Sequence, residues 1–201
     1  MANLVDFDRE IMEGKDRIAG LDEAGRGALA GPVMVGCVSA RPEVLAEDIY
    51  AEVNDSKQLA RPRREALFRE LASDSGIDIG LGAADNGEID ELGINEAAGL
   101  AASRALGSLS LNLDLVLLDK GLALDYGGRT VSLEKGDERS FHVAAASIMA
   151  KVTRDRYMMV KARHFTGYEW ETNVGYGTGD HKESIERNGP TPLHRKSYKL
   201  T

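Results

Sequence analysis

The stretch from Ser140 to His164 contains neither glycine nor proline, and it constrains the fold more than any other part of the chain. It predicts one helix of about 36 Å, because each residue of an α-helix adds about 1.5 Å. The first half of this helix is rich in alanine, at Ala144, Ala145, Ala146 and Ala150. The chain has 201 residues, of which 42% are hydrophobic, and we expect one well-packed core.

Before the long helix, strand-like and helix-like segments alternate. Strand patterns cover residues 17–22, 29–39, 77–84, 114–119 and 130–133, and helical patterns cover residues 63–73 and 86–108. Asn86 is a candidate cap of the second helix, and Gly93 is a candidate interruption of it. After the long helix, Asp180 is a candidate cap of a short helix. This order predicts an α/β fold with a mixed sheet and a helical tail.

The net charge of −8 is unevenly distributed along the chain. Residues 1–150 carry 15 basic and 27 acidic side chains, whereas residues 151–201 carry 10 basic and 6 acidic ones. The basic part also contains six of the eleven aromatic residues. Such a composition suits contacts with nucleic acid, and it equally suits a helical extension that packs its rings on a core.

The sequence predicts a cytoplasmic protein without a membrane partner. Cys37 is its one cysteine, which excludes an internal disulfide and a multi-cysteine zinc site, and its apolar neighbours predict a buried thiol. The longest weakly polar run, residues 28–40, is too short to span a bilayer, and the acidic N-terminus is unlike a signal peptide.

Two adjacent carboxylates precede a glycine-flanked arginine in the segment Asp22-Glu23-Ala24-Gly25-Arg26-Gly27. Neighbouring carboxylates repel each other unless a cation neutralises them. Gly25 and Gly27 leave the backbone amides around Arg26 open to a ligand. Metal ions together with a phosphate would satisfy both halves of the segment, whereas the alternative for the acids alone is a solvated hairpin end.

Two further acids fall where they can join Asp22. Asp119 ends the fourth strand, and if the first and fourth strands are neighbours its side chain lies about 5 Å from that of Asp22. On the long helix, Ser147, Lys151 and Asp155 share one face, from which Asp155 can close the cluster. Oxygen donors favour Mg²⁺ or Mn²⁺, typically as a pair of ions. Glu23 can ligate beside Asp22 only if the strand ends or bulges there.

The arrangement of motifs resembles the type 2 ribonuclease H family, ribonuclease HII, in its bacterial branch. The resemblance runs from Arg17 to Ser197 and is carried by residues 22–27, 29–33, 55–57, 93–97, 118–119, 135–137, 144–155, 175–178 and 189–197. It implies a ribonuclease H-like five-stranded mixed sheet of order 3-2-1-4-5, flanked by helices, with the second strand antiparallel. It also implies a catalytic core at residues 1–164 and a helical C-terminal extension at residues 165–201 that is not an independent domain.

The resemblance implies an endonuclease that cuts the RNA strand of RNA–DNA hybrids. It also implies incision of duplex DNA on the 5′ side of a single embedded ribonucleotide, leaving 3′-hydroxyl and 5′-phosphate ends through a two-metal site with Mg²⁺ or Mn²⁺. The matching metal ligands are Asp22, Glu23, Asp119 and Asp155. The matching substrate contacts are Gly25, Arg26 and Gly27 for the 2′-hydroxyl, Tyr176 for the sugar of the following deoxynucleotide, and Lys57 for a backbone phosphate.

Three positions depart from the family pattern, namely Lys120, Trp170 and Val174. We interpret Trp170 and Tyr168 as packing residues, and the four histidines, which have no ligand spacing, as surface or hydrogen-bonding residues. We expect a monomer that binds hybrid or ribonucleotide-containing duplex, and the sequence leaves a sliding-clamp contact open. The alternative functions are a structure-selective DNA nuclease and a non-catalytic hybrid-binding module on the same fold.

Overall fold

The computed structural model describes residues 4–15, 17–46, 50, 52–109 and 111–201, and its centre is a five-stranded sheet. The strands are β1 (Ile18–Ala24), β2 (Val33–Ala40), β3 (Ile77–Ala84), β4 (Leu115–Asp119) and β5 (Thr130–Leu133). Their order in space is β3-β2-β1-β4-β5, with β2 antiparallel to β1 and β3, and β4 parallel to β1 and β5. The α/β class, the mixed sheet and the strand order 3-2-1-4-5 are therefore confirmed.

Helices flank both faces of the sheet. They are α1 (Leu4–Ile11), α2 (Arg61–Ser73), α3 (Asn86–Leu92), α4 (Ile94–Gly107), α5 (Phe141–Ala162), α6 (Trp170–Asn173) and α7 (Gly179–Asn188). The long predicted helix is α5, with Ser140 as its N-cap. Among the described residues, no helix combines the length and the apolar composition that a membrane crossing requires.

Three predicted element ends are wrong. The second strand begins at Val33 instead of residue 29, because Ala28 and Ala30 form isolated bridges with the C-terminal segment. Asp85, rather than Asn86, caps α3, since its carboxylate accepts the Glu88 amide N–H in a capping box. Thr178, rather than Asp180, caps α7. The predicted interruption at Gly93 is confirmed, with a φ of 79° between α3 and α4.

Helix α5 lies unusually close to β1 and β2. A methyl group on Gly36 would stand 2.3 Å from the Ala146 carbonyl oxygen, and one on Gly20 would stand 2.4 Å from the backbone of His142. The alanines of the first half of α5 are fully buried at this contact. Helix α5 thus covers one apolar layer of the sheet, while α3 and α4 cover the layer on the opposite face.

Three of the four histidines are buried and hydrogen-bonded. His142 pairs through Nδ1 with the buried carboxylate of Asp8 at 2.6 Å, which ties α1 to the start of α5. His181 and His194 are buried with Trp170 and Tyr168 in a third cluster beneath the C-terminal segment. The interpretation of Trp170 and Tyr168 as packing residues is confirmed, as is the buried Cys37.

The contacts of His181 and His194 are satisfied only when both rings are neutral. The indole Nε1–H of Trp170 donates to His181 Nε2 at 2.9 Å, and the Thr191 amide N–H donates to His194 Nδ1 at 2.8 Å. Both of these groups are donors only, so both accepting nitrogens must be without a proton. Burial, reinforced by His181, accordingly lowers the pKa of His194 to about 4, and burial also lowers the pKa of His181.

The close approach of α5 makes Gly36 sensitive to added bulk. We expect Gly36→Ala to lower the free energy of unfolding by about 3 kcal/mol, because the new methyl group meets backbone that cannot rotate away. The control is Gly107→Ala at the end of α4, where a methyl group meets nothing within 4 Å. Urea denaturation of both variants is the measurement. Equal midpoints would show that the helix can move away from the sheet.

The low pKa of His194 predicts acid sensitivity. The unfolded imidazole binds its proton near pH 6.5 and the folded one near pH 4, so between these values the unfolded state holds more protons and stability falls as the pH falls. From pH 7 to pH 5, the free energy of unfolding should drop by about 2 kcal/mol more in the natural protein than in His194→Asn. Urea denaturation at both pH values measures the difference. An identical drop in both proteins would contradict the neutral ring.

Candidate active site

Two of the predicted carboxylates lie on neighbouring parallel strands. Leu21 of β1 pairs with Leu118 of β4, so the next residues, Asp22 and Asp119, lie side by side at one corner of the sheet, where β4 ends. Each carboxylate is oriented by the backbone. Asp22 Oδ1 accepts the Glu23 amide N–H at 2.7 Å, and Asp119 Oδ1 accepts the Gly136 amide N–H at 2.8 Å.

The backbone at Glu23 does not meet the condition under which Glu23 could bind an ion beside Asp22, namely that the strand ends or bulges there. Strand β1 continues in regular register with β2 through Ala24, so it neither ends nor bulges at the acidic pair. The two side chains therefore leave opposite faces of the strand. Both carboxyls are still within electrostatic reach of Asp119, which adds to burial in raising the pKa of each, and Glu23 Oε1 lies 3.7 Å from Arg26 Nε.

The electrostatics of this corner suit a bound cation. Burial raises the pKa of Asp22 well above its usual range, and repulsion from Glu23 and Asp119 adds to the effect. Burial also raises the pKa of Glu23, with Arg26 offsetting part of the shift. The buried Oε2 of Glu23 has no hydrogen-bond partner among the described residues. Buried, mutually repulsive carboxylate oxygens are the donor set that Mg²⁺ and Mn²⁺ accept.

Asp155 is paired with a lysine of its own helix. Its Oδ1 accepts from Lys151 Nζ at 2.8 Å, one turn earlier on α5. Across the described ranges, no three Asp, Glu, His or Cys side chains converge closely enough to enclose one ion. The four-acid cluster therefore stays a prediction, which requires Asp155 to exchange its lysine partner.

A fifth acid lies beside the corner, and the sequence argument gave it no role. Asp137 is buried, and burial together with Asp55 and Asp119 raises its pKa to about 6. Its Oδ2 lies 3.9 Å from Nζ of Lys57, one of the predicted substrate contacts. Asp55 Oδ1 in turn accepts the Lys57 amide N–H at 2.8 Å. Residues 135–137 are one of the motifs that carry the family resemblance, and this motif was the sequence signal that could have identified Asp137 as a site residue.

The segment Gly25-Arg26-Gly27 is held rigidly beside these acids. Gly25 has a φ of 97°, and a side chain there would collide with the buried guanidinium of Arg154. The Arg26 guanidinium donates to the carbonyl of Gly121 at 3.1 Å and to the side chain of Asn95. The arginine side chain is thus already hydrogen-bonded within the protein, which leaves the backbone of the segment as the part available to a ligand.

Arg195, from the C-terminal segment, fixes the direction of that backbone. Its guanidinium is fully buried and donates to the carbonyls of Gly25 and Arg26 at 2.7 Å each, and to that of Gly31 at 3.0 Å. In a trans peptide, the N–H points opposite to the C=O of the same unit. The amides of Arg26 and Gly27 therefore point away from Arg195. The sequence argument missed Arg195, because its partners are more than 160 positions away.

Tyr176 closes the site from the other side. Its backbone bridges to Ala28, directly after the glycine segment. Its half-buried ring lies 5.3 Å from Lys151 Nζ and 5.1 Å from Arg154 Cζ, measured to the ring centroid. A cleft of about 380 Å³ results, lined by Glu23, Ala24, Gly25, Arg26, Gly27, Ser56, Lys57, Lys151 and Tyr176. All five predicted substrate contacts line this one cleft.

Comparisons with known proteins identify the family to which this sequence and fold are similar. The family model described as Ribonuclease HII matches residues 19–201. The chain is 42% identical to Ribonuclease HII of Ligilactobacillus salivarius, and the match covers 98% of this chain and 75% of that protein. It is 44% identical to Ribonuclease HII of Synechococcus sp., and that match covers 92% of this chain and 83% of that protein. Its fold is similar to that of ribonuclease H2 from Pyrococcus horikoshii, with a TM-score of 0.75 at 28% identity over 92% and 94% of the two chains.

The role of Arg195 can be tested by a substitution that keeps its charge. We expect Arg195→Lys to lower the free energy of unfolding by about 3 kcal/mol, because one ammonium group cannot reach three divergent carbonyls in a buried site. The matched control is Arg187→Lys on the exposed surface of α7, which should change stability by less than about 0.5 kcal/mol. Chemical denaturation measures both. Similar losses would mean that Arg195 does not fix the glycine segment.

Proposed function

Since this chain belongs to the ribonuclease HII family and is a nuclease of RNA–DNA hybrids, we propose that it also incises duplex DNA on the 5′ side of a single embedded ribonucleotide. The products carry 3′-hydroxyl and 5′-phosphate ends, as ribonucleotide excision repair in the cytoplasm requires. One observation carries the proposal. Arg26 and Gly27, whose backbone amides are turned away from Arg195, line the same cleft as Glu23 and Tyr176.

The catalytic acids of the proposal are Asp22, Glu23, Asp119 and Asp155. They would hold a pair of Mg²⁺ or Mn²⁺ ions, which supply water activation and neutralisation of the charge on the leaving oxygen. The buried, mutually repulsive carboxyls of Asp22 and Glu23 support this role. Asp155 joins them by releasing Lys151, whose ammonium is then available to a phosphate of the substrate.

The remaining cleft residues recognise the substrate. The 2′-hydroxyl distinguishes RNA from DNA at a given sugar, and the amides of the segment Gly25-Arg26-Gly27 are hydrogen-bond donors to it. Tyr176 packs on the next sugar, where a second 2′-hydroxyl would clash with the ring. Lys57 is largely exposed next to Asp137 and contacts a backbone phosphate.

Residues 165–201 act within this unit as an extension of the core at residues 1–164. This proposal is supported by Arg195 and Tyr198 of the extension, both of which donate hydrogen bonds to the Arg26 carbonyl in the core. An extension that holds part of the cleft cannot leave the core without disordering it. We propose that the protein works as a monomer, since the residues that line the cleft all come from one chain.

The function is tested with three end-labelled duplexes in Mg²⁺ and in Mn²⁺: DNA with one ribonucleotide, a continuous RNA–DNA hybrid, and all-DNA of the same sequence. The proposal requires a cut 5′ to the ribonucleotide and no cut in all-DNA. Equal cleavage of all-DNA would indicate a structure-selective DNA nuclease. Binding without any cleavage would indicate a hybrid-binding module.

Asp119→Asn should lower turnover on the ribonucleotide-containing duplex by at least about 100-fold while substrate binding is retained, because a neutral amide is a poor ligand for a hard divalent ion. Asp125→Asn serves as the control, since Asp125 is exposed on the loop after β4 and should leave turnover unchanged. Single-turnover rates and a binding titration separate the two effects. Near-normal turnover of Asp119→Asn would mean that the metal site is elsewhere.

A further inference from the structure

The backbone of Tyr176 is held by three hydrogen bonds. Its amide N–H donates to the Asn173 carbonyl at 2.9 Å. Its carbonyl accepts from the Thr178 amide N–H at 2.8 Å and from the ring Nδ1 of His181 at 2.9 Å. The first two bonds are local and lie within the turn that carries Tyr176. Beside the backbone bridge to Ala28, His181 provides a side-chain contact that ties the Tyr176 carbonyl to the helix α7.

The neighbours of His181 decide which ring nitrogen carries its proton. The indole N–H of Trp170 donates to Nε2 at 2.9 Å, and Nε2 of His194 lies 3.1 Å from the same atom. His194 accepts the Thr191 amide on Nδ1, so its own proton is on Nε2 and points at His181. Two donors thus face Nε2 of His181. The proton of His181 must be on Nδ1, where it meets the Tyr176 carbonyl.

This network is sealed from solvent and leads to the cleft. Trp170 and His181 are fully buried, and His194 is 1% exposed. The bond from His181 to Tyr176 joins this network to a residue of the cleft. The Tyr176 ring begins two bonds from the backbone unit that this contact fixes, so a shift of the carbonyl moves the ring against Lys151 and Arg154.

We propose that His181 is a positioning residue for Tyr176. The donors Trp170 and His194 hold His181 in the tautomer that donates to the Tyr176 carbonyl, and this bond keeps the tyrosine ring in place over the nucleotide that follows the ribonucleotide. The proposal rests on the substrate role proposed for Tyr176. It predicts that loss of the Nδ1–H donor weakens the preference for a deoxynucleotide at that position, while the cleavage machinery at Asp22 and Asp119 is unaffected.

Two polar variants of His181 isolate this single hydrogen bond. An asparagine amide reaches the place of Nδ1 and can still donate to the Tyr176 carbonyl, whereas a glutamine amide reaches the place of Nε2 and leaves that carbonyl without its donor. Both variants lose the ring and its packing. A purely structural role would therefore affect them alike, and the positioning role separates them.

The readout is the ratio of kcat/KM on a DNA duplex with one ribonucleotide to kcat/KM on a continuous hybrid, because lost stability lowers both values and leaves their ratio unchanged. His181→Gln should lower this ratio about tenfold, in line with the cost of a small misplacement of a contact group. His181→Asn should keep the ratio within about twofold of the natural protein. Equal ratios for the two variants would overturn the proposal.

The variant Tyr176→Ala distinguishes a failure of the positioning role of His181 from a failure of the substrate role proposed for Tyr176. If Tyr176→Ala lowers the ratio and His181→Gln does not, the substrate role of Tyr176 holds and the positioning role of His181 falls. If Tyr176→Ala leaves the ratio unchanged, the substrate role falls, and the positioning proposal falls with it. Cleavage 5′ to the ribonucleotide by the natural protein remains a separate result.

The tautomer is measured on the natural protein without any substitution, which covers the case in which a variant fails to fold. Long-range ¹H–¹⁵N NMR at pH 7 should show the proton of His181 on Nδ1 and that of His194 on Nε2. The reverse assignment for His181 would overturn the proposal, because Nδ1 would then repel the Tyr176 carbonyl.

Discussion

The close contact of helix α5 with strands β1 and β2 is the constraint on which the rest of the structure depends. Gly20 and Gly36 remove the side chains that would hold the helix off the sheet, so the backbone of α5 lies directly above Asp22's strand. The same helix carries Lys151 to the cleft and sends Arg154 to the carbonyls of Ala30, Pro32 and Val174. A small outward shift of α5 would therefore displace the acids and the glycine segment together.

Two buried arginines hold the backbone around the glycine segment in place on this packing. Arg154 and Arg195 are fully buried, and among the described residues no carboxylate lies within ion-pair distance of either. Their charge is solvated by backbone carbonyls and, for Arg195, by the hydroxyl of Tyr198. Burial of such a cation is costly, and the planar guanidinium offsets the cost by binding several fixed carbonyls at once. The amides on the reverse side of these peptides gain a set direction, which is the preorganisation that a hydroxyl-sensing segment needs.

The sequence predicted what depends on local pattern and composition. The glycine- and proline-free run became α5, and the strand order brought Asp22 beside Asp119. Contacts between distant residues lay beyond it, since no local pattern encodes the bonds from Arg195 to Gly25 or from Trp170 to His181. The same limit explains the late start of β2, because residues expected at its beginning form bridges with the C-terminal segment instead. The condition that β1 end or bulge at Glu23 is not met, because the sheet register with β2 continues through Ala24.

In the proposed function, backbone amides of the segment Gly25-Arg26-Gly27, fixed by Arg195, read the 2′-hydroxyl. The decisive measurement is a crystal structure of Asp119→Asn bound to a DNA duplex with one ribonucleotide. We expect the 2′-oxygen at about 3 Å from an amide nitrogen of this segment, with the Tyr176 ring on the following sugar. A 2′-oxygen bound only by side chains or solvent, with the glycine segment out of contact, would contradict it.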